Sequence, residues 1–233
     1  METTSNNILI IGATSGIGHC LWEYYVSQGN NVVVTGRRQE VLDVMKTEYP
    51  EHTFPVSCDI SDIETANEVY GDISARLGNI DIAIVCAGVG ELNHSLDVNL
   101  ELSTVSVNVV GWTNTVATLY KLFERQQSGH LVVLTSVGGL QPTPVAPSYS
   151  ASKAFQINYI KAIQKKSNNT PIIVTEMRPG LVDTRMAKGE GLFWVMPLDK
   201  VVPMIINAVS RKKKCQIVTS RWRIINWILR HLI

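Results

Sequence analysis

Short apolar runs rich in β-branched residues recur along the chain at 8–11, 32–35, 54–58, 80–86, 131–135, 172–175 and 216–219, with helix-length segments between most of them. Each run is too short and too uniformly apolar for a half-exposed strand; strands covered on both faces read this way. Their alternation with helices predicts an α/β fold: a doubly wound, seven-stranded parallel sheet with helices on both faces. The 233 residues suit one domain with a substantial core. No repeat, low-complexity tract or linker interrupts them, so 1–233 reads as a single domain.

The intervening segments carry helix signals of their own. Residues 16–28 predict a first helix closed by Gly29. Ser61 and Glu64 have the spacing of a capping box, and the stripe Ile63, Ala66, Val69, Ile73 and Leu77 follows, stopped at Gly78. Residues 97–126 and 148–166 predict two long helices, and a helix near 199–211 carries Pro203 in its first turn, where proline is tolerated.

Composition narrows the function classes. Apolar residues make up 45% and charged residues 18%, a globular balance, and a net charge of +1 gives no case for a nucleic-acid partner. Cys20, Cys58, Cys86 and Cys215 are far apart and read as buried reduced thiols rather than a disulfide framework. His19, His52, His94, His130 and His231 lack metal-ligand spacing, so no metal is assigned. The opening METTSNN has neither the basic nor the apolar region of a signal peptide, and no apolar run approaches the roughly 20 residues of a spanning helix. A cytoplasmic protein is expected.

The first run leads directly into Gly12-Ala13-Thr14-Ser15-Gly16-Ile17-Gly18 and then a helix. A strand, a glycine turn and a helix N-terminus make a phosphate cradle: the glycines let backbone approach a pyrophosphate and the helix dipole favours its charge. About 20 residues past the glycines, where an acid would hold the ribose hydroxyls of NAD(H), the chain has Gly36-Arg37-Arg38. A guanidinium pairs with a 2′-phosphate, so NADP(H) is preferred and NAD(H) is the alternative. Arg38 also reads as a solvated residue at a helix start. Asp59, closing the third run, suits either an adenine amine or a loop cap.

Tyr149 and Lys153 stand four apart at the start of a predicted helix, on one face. A phenol near its ordinary pKa is a poor acid or base at neutral pH, and a neighbouring cation favours the phenolate. Ser136 lies at the C-terminal end of the 131–135 run, the edge where open α/β sheets place ligands.

Together with Pro179-Gly180-Leu181-Val182-Asp183-Thr184, these motifs stand in the order and spacing of the short-chain dehydrogenase/reductase family, which the chain resembles, in its compact single-domain form, over nearly its whole length. The resemblance implies a Rossmann-type fold and an oxidoreductase that interconverts a carbonyl and a hydroxyl. It implies Tyr149 as acid/base, Lys153 as the group that lowers its pKa and holds the nicotinamide ribose, and Ser136 as the hydrogen-bond partner of the substrate oxygen. Asn108 matches the asparagine that holds a water in the proton relay. Val182 would offer backbone groups to the carboxamide and Thr184 its hydroxyl. Ala87 and Gly88 keep the family's close approach to the cofactor, while Val85 and Cys86 stand where the family often has two asparagines. A homodimer or homotetramer burying 97–126 and 148–166 is implied as well.

Two segments allow alternative readings. Residues 184–198 occupy the substrate-loop position, and the stretch 189–196 reads as a lid over an apolar substrate or as packing. In the tail 221–233, Trp222, Ile225, Leu229, Leu232 and Ile233 face one side and Arg223, Asn226 and Arg230 the other. That pattern suits an interfacial helix giving peripheral membrane contact, or one docked on its own domain or a partner subunit. The expected activity is NADP(H)-dependent hydride transfer on a small, apolar carbonyl or alcohol. The alternatives are a catalytically silent dinucleotide-binding sensor or scaffold, and a membrane-associated lipid-modifying reductase.

Overall fold

The computed structural model describes residues 5–186 and 194–218. Its sheet has seven parallel strands: β1 (Asn7–Ile11), β2 (Asn31–Gly36), β3 (Thr53–Ser57), β4 (Ile82–Val85), β5 (Gly129–Leu134), β6 (Ile172–Pro179) and β7 (Cys215–Val218). They lie in the order β3-β2-β1-β4-β5-β6-β7. The helices are α1 (Gly16–Ser27), α2 (Gln39–Glu48), α3 (Ile63–Leu77), α4 (Val98–Val105), α5 (Trp112–Gln126), α6 (Pro147–Lys166) and α7 (Leu198–Ser210). Alternate strand residues enter two cores. Ile8, Ile10, Val32 and Val34 meet α1, α2 and α7, while Leu9, Ile11, Ala83 and Leu131 meet α3, α5 and α6. The predicted doubly wound sheet with helices on both faces is present.

Several boundaries differ from the sequence reading for identifiable reasons. The cap of α3 is Asp62, which accepts from the Thr65 N–H, while Ser61 is drawn away by Asp59, to which it gives both its N–H and its hydroxyl. The expected helix 97–126 is interrupted by a π-turn over Ser106–Gly111 between α4 and α5. Pro203 sits in the second turn of α7, so it gives up an internal helical bond rather than a terminal one. Of the thiols read as buried, Cys58 is buried, Cys20 and Cys86 are half-buried and Cys215 is exposed. Among the described residues no helix is long and apolar enough to cross a membrane. The tail 221–233 lies outside the described residues, as does most of the stretch read as a lid.

Strand β6 runs past Thr175, where the apolar run ends, because its polar residues are matched internally. Arg178 and Glu176 are 2% and 1% exposed. The guanidinium donates Nη2 to both carboxylate oxygens at 2.7 Å and Nε to Oε1 at 3.0 Å. The Thr135 hydroxyl adds a bond to Oε1 at 2.7 Å. A bidentate, fully hydrogen-bonded pair of this kind tolerates burial, but neither partner tolerates it alone. Glu176→Ala is expected to lower unfolding stability by about 3–5 kcal/mol, read from chemical denaturation. A loss within about 0.5 kcal/mol, the range of surface substitutions, would show that the pair does not brace β6.

Candidate active site

The site forms at the C-terminal edge of the sheet, where β1 is flanked by β2 on one side and β4 on the other. Chain connections leave those neighbours in opposite directions and open a crevice there. The glycine turn fills its floor. A Cβ on Gly12, which has φ +83°, would stand 2.7 Å from the Ala87 Cα, and one on Gly18 would stand 2.3 Å from the Gly12 carbonyl oxygen. Only glycine lets β1, the start of α1 and the Ala87-Gly88 segment approach so closely. Ser15 precedes α1 and spends no side-chain bond on capping it, which leaves its hydroxyl uncommitted to the helix beside the first N–H groups of α1. Gly16 has Thr184 over it, the methyl 3.1 Å from where a Cβ would be. Thr184 donates to the Val182 carbonyl at 3.3 Å. Leu181 and Asp183 supply the bonds that pin this segment to Met196, so the N–H and C=O of Val182 point the other way. The sequence-predicted Gly12–Gly18, Ala87, Gly88, Val182 and Thr184 are thus brought together, and their glycine-lined shape fits a dinucleotide. Pro179 and Gly180 join β6 to this segment.

The two adjacent arginines take different positions. Arg38, read as a solvated helix-start residue as well as a phosphate contact, is half-buried on the glycine turn. Its Nη2 donates to the Thr14 carbonyl at 2.8 Å and to the Thr14 hydroxyl at 2.9 Å. Arg37 is exposed and lies 3.6 Å from Asp59. Burial tends to raise the Asp59 carboxyl, but the two Ser61 bonds and the Arg37 charge outweigh it and hold the group below its ordinary value. Asp59 therefore does the work of a loop cap.

At the other end of the crevice stand Ser136, Tyr149 and Lys153. Ser136 follows β5 and caps a short 3-10 turn (Val137–Gly139), its Oγ accepting from the Gly138 N–H at 3.0 Å. Two glycines shape the space around the phenol. A Cβ on Gly90 would lie 2.8 Å from the Tyr149 ring, and one on Gly138 would lie 3.3 Å from both the ring and the Ser136 Oγ. Tyr149 is raised above its ordinary value by burial, against a hydrogen bond from Ser136 that lowers it. Burial likewise brings the Lys153 ammonium down to about 8, opposed by Cys86. The Lys153 ammonium is 5.9 Å from the Tyr149 ring centroid, and burial is the largest cause of the shift in both groups.

Asn108 lies in the π-turn and is 0% exposed. Its Oδ1 accepts from the Val89 N–H at 2.8 Å, and its Nδ2 donates to the Val89 carbonyl at 2.7 Å and to the Ser152 Oγ at 3.1 Å. Its backbone carbonyl accepts from Gln156 Nε2 at 2.8 Å. Sequence reasoning missed Ser152, Gln156 and Gly90. Gln156 was the most accessible of these, since it continues the Tyr149, Lys153 face of α6 at i+7 as a polar residue where a core-facing stripe calls for an apolar one. Among the described residues no group of three or more His, Cys, Asp or Glu is placed to hold a metal ion.

Comparison with known proteins agrees with this geometry. The family model for short chain dehydrogenase matches residues 6–192. An oxidoreductase of Mycobacterium tuberculosis is 30% identical over 218 residues, covering 90% of this chain and 86% of that protein. The NADP-dependent 3-hydroxy acid dehydrogenase of Escherichia coli is 31% identical over 179 residues, 75% of this chain and 72% of that one. A short-chain dehydrogenase from Streptomyces avermitilis superposes with a TM-score of 0.85 over 98% of this chain and 93% of its own, at 23% identity, which speaks for the fold. The chain belongs to the short-chain dehydrogenase family. It is an oxidoreductase of the class that interconverts CH–OH and C=O groups on small molecules with a nicotinamide dinucleotide.

Proposed function

We propose that the protein is an NADP(H)-dependent reductase or dehydrogenase of an apolar carbonyl/alcohol pair, with Tyr149 as its acid/base. The observation that carries this reading is the convergence of Ser136, Tyr149 and Lys153 at the strand edge that also holds the glycine cradle. When bound, the nicotinamide supplies or accepts the hydride. The protein's own groups manage the proton. A buried phenol raised above its ordinary pKa is protonated at neutral pH and ready to give its proton to a carbonyl oxygen. Ser136, fixed by the Gly138 N–H, aims its hydroxyl at the same oxygen and at the phenol. Lys153 is the nearby positive charge that lowers the cost of the phenolate left behind.

Support for an apolar substrate comes from the two segments that border the crevice. Leu92 and Leu96 are exposed on the loop whose Gly90 touches Tyr149, and Met186 and Trp194 are exposed on either side of the stretch following Thr184. Tyr149→Phe is expected to keep NADPH binding and lose turnover by roughly 100- to 10,000-fold, measured as NADPH consumption against a panel of ketones, aldehydes and quinones. Full turnover in that variant would rule out the acid/base assignment.

The preference for NADP(H) rests on Arg37 and Arg38, and the NADP-dependent relative supports it. Arg37, held only by an exposed ion pair, is the side chain at liberty to swing onto a 2′-phosphate. Arg38 braces the glycine turn itself. Arg37→Met should therefore weaken NADPH binding about tenfold or more while sparing NADH. Arg38→Met should weaken both. Equal losses of the two cofactors in Arg37→Met would remove Arg37 from phosphate recognition.

Assembly into a homodimer or homotetramer is supported by apolar residues left exposed on α4, the π-turn and α6, of which α4 and α6 pack together. These are Val98, Leu102 and Val105 on α4, Val110 in the π-turn, and Phe155 on α6, which stacks on Tyr159. Single exposed apolar residues are ordinary on a surface, whereas several on elements that pack together suit an interface. Sedimentation velocity should find a dimer or tetramer that Leu102→Glu with Phe155→Glu converts to monomer. A monomeric wild-type protein at micromolar concentration would overturn this.

A further inference from the structure

Gln156 is 0% exposed, and both ends of its amide are committed. Its Oε1 accepts from Lys153 Nζ at 2.9 Å and its Nε2 donates to the Asn108 carbonyl at 2.8 Å. The Asn108 carbonyl is free for this bond because of the π-turn. The Trp112 N–H reaches the carbonyls of Val107 and Val109 and passes over that of Asn108. A single wide turn in a helix leaves one carbonyl without its helical donor in this way. The Asn108 side chain offers no substitute acceptor, since Val89 and Ser152 occupy it. Gly88 closes the cluster from the β4 side: a Cβ there would stand 3.4 Å from Lys153 Nζ and 3.3 Å from Asn108 Oδ1.

An apolar residue at 156 would suit the core and leave two polar groups stranded, the Asn108 carbonyl and one proton of a buried ammonium. Lys153 is 5% exposed on a flexible stem, and among the described residues it forms no ion pair with a carboxylate. The amide oxygen is therefore what fixes the direction of the ammonium. We propose that Gln156 is a positioning residue of the active site: it ties the Lys153 ammonium to the carbonyl freed at Asn108 and so holds the cation beside the Tyr149 ring. The inference deepens the proposed function, since it assigns Lys153 the role given there, yet the clamp itself is read in the cofactor-free protein. One of the three ammonium protons goes to Gln156. Two remain for the phenol and for a ligand in the cradle.

The groups facing the ammonium are few: Tyr149 on its own helix and Cys86 beyond β4, with Asn108 and Gln156 neutral. Burial raises both Tyr149 and Cys86, so each stays neutral while Lys153 titrates near 8. The Lys153 midpoint thus reports its own hydrogen bonding. The test is titration of the ε-ammonium by NMR in the cofactor-free protein with isotope-labelled lysine, the Lys153 signal being identified by its loss in Lys153→Met. Gln156→Met should lower the midpoint by about one pH unit, because a buried cation loses its acceptor, and Gln156→Glu should raise it. A midpoint unmoved in Gln156→Met overturns the proposal. If that variant does not fold, Gln156→Asn, too short to span both partners, must lower the midpoint, and an unmoved value there overturns it equally. In the holoenzyme, the pH at which turnover fails should follow the lysine midpoint across the variants. A shifted midpoint alongside full turnover in Tyr149→Phe would leave the clamp standing and remove the acid/base assignment, so the two failures are distinct.

Discussion

The contact between Gly12 and Ala87 fixes where everything else in the site can stand. β1 pairs with β2 on one side and β4 on the other, and the chain turns out of β1 with its backbone against the backbone that leaves β4. The N–H groups of Gly12 and Ala13 both donate to the Thr35 carbonyl at the end of β2, at 3.0 and 2.9 Å. The turn is thus pressed from one side and hydrogen-bonded from the other, which leaves the first turn of α1 one direction to point. That direction is into the crevice, and the positive end of its dipole is carried there. Arg38 extends the same logic, since a guanidinium on Thr14 both stiffens the turn and adds positive charge beside it.

Opposite that rigid edge, polar groups are held inside the protein by short-range matching rather than by solvent. Glu176, Arg178 and Thr135 form one closed set under Ser136, and Lys153, Gln156 and Asn108 form another beside Tyr149. In both, a buried charge is tolerable because every neighbour is a donor or acceptor of the right sense. The two sets differ in kind. The first is a neutral pair with an ion on each side. The second holds a lone cation by dipoles, which is why burial still draws Lys153 down to about 8.

Strand positions were legible because parallel strands buried on two faces are continuous apolar runs, and the grouping of Ser136, Tyr149 and Lys153 was legible because a strand end and an i,i+4 helix spacing bring them together. What escaped were features in which one side chain outcompetes another. Ser61 has the right chemistry for a cap, but the Asp59 carboxylate two residues back takes it and Asp62 caps instead. Glu176 and Arg178 look like the end of a strand until their mutual pairing is seen. The π-turn at 106–111 leaves no compositional mark, because it depends on what docks against Gly111. A Cβ there would stand 2.2 Å from the Ile60 carbonyl oxygen. Arg37 and Arg38 are adjacent and chemically identical, so only the path of the chain after β2 decides which reaches Thr14.

The opposed shifts of Tyr149 and Lys153 have one cause with a directional consequence. Burial disfavours charge, so it raises the phenol and lowers the ammonium to about 8, and their values move apart with the ammonium below the phenol. At neutral pH the resting site holds a neutral phenol and a cation, the state that the proposed acid/base role of Tyr149 calls for. Under the proposed role, the reverse reaction requires the phenol to lose its proton first, and the cation beside it would then compensate the new charge. A Lys153 free to swing away would make that compensation intermittent. Its fixation through the amide of Gln156 keeps the cation within about 6 Å of the ring, a separation at which Coulomb attraction inside a protein is still a few kcal/mol. Under the proposed role the two effects divide the work: burial keeps the phenol protonated when the site is at rest, and the fixed ammonium would support the phenolate once the proton has gone.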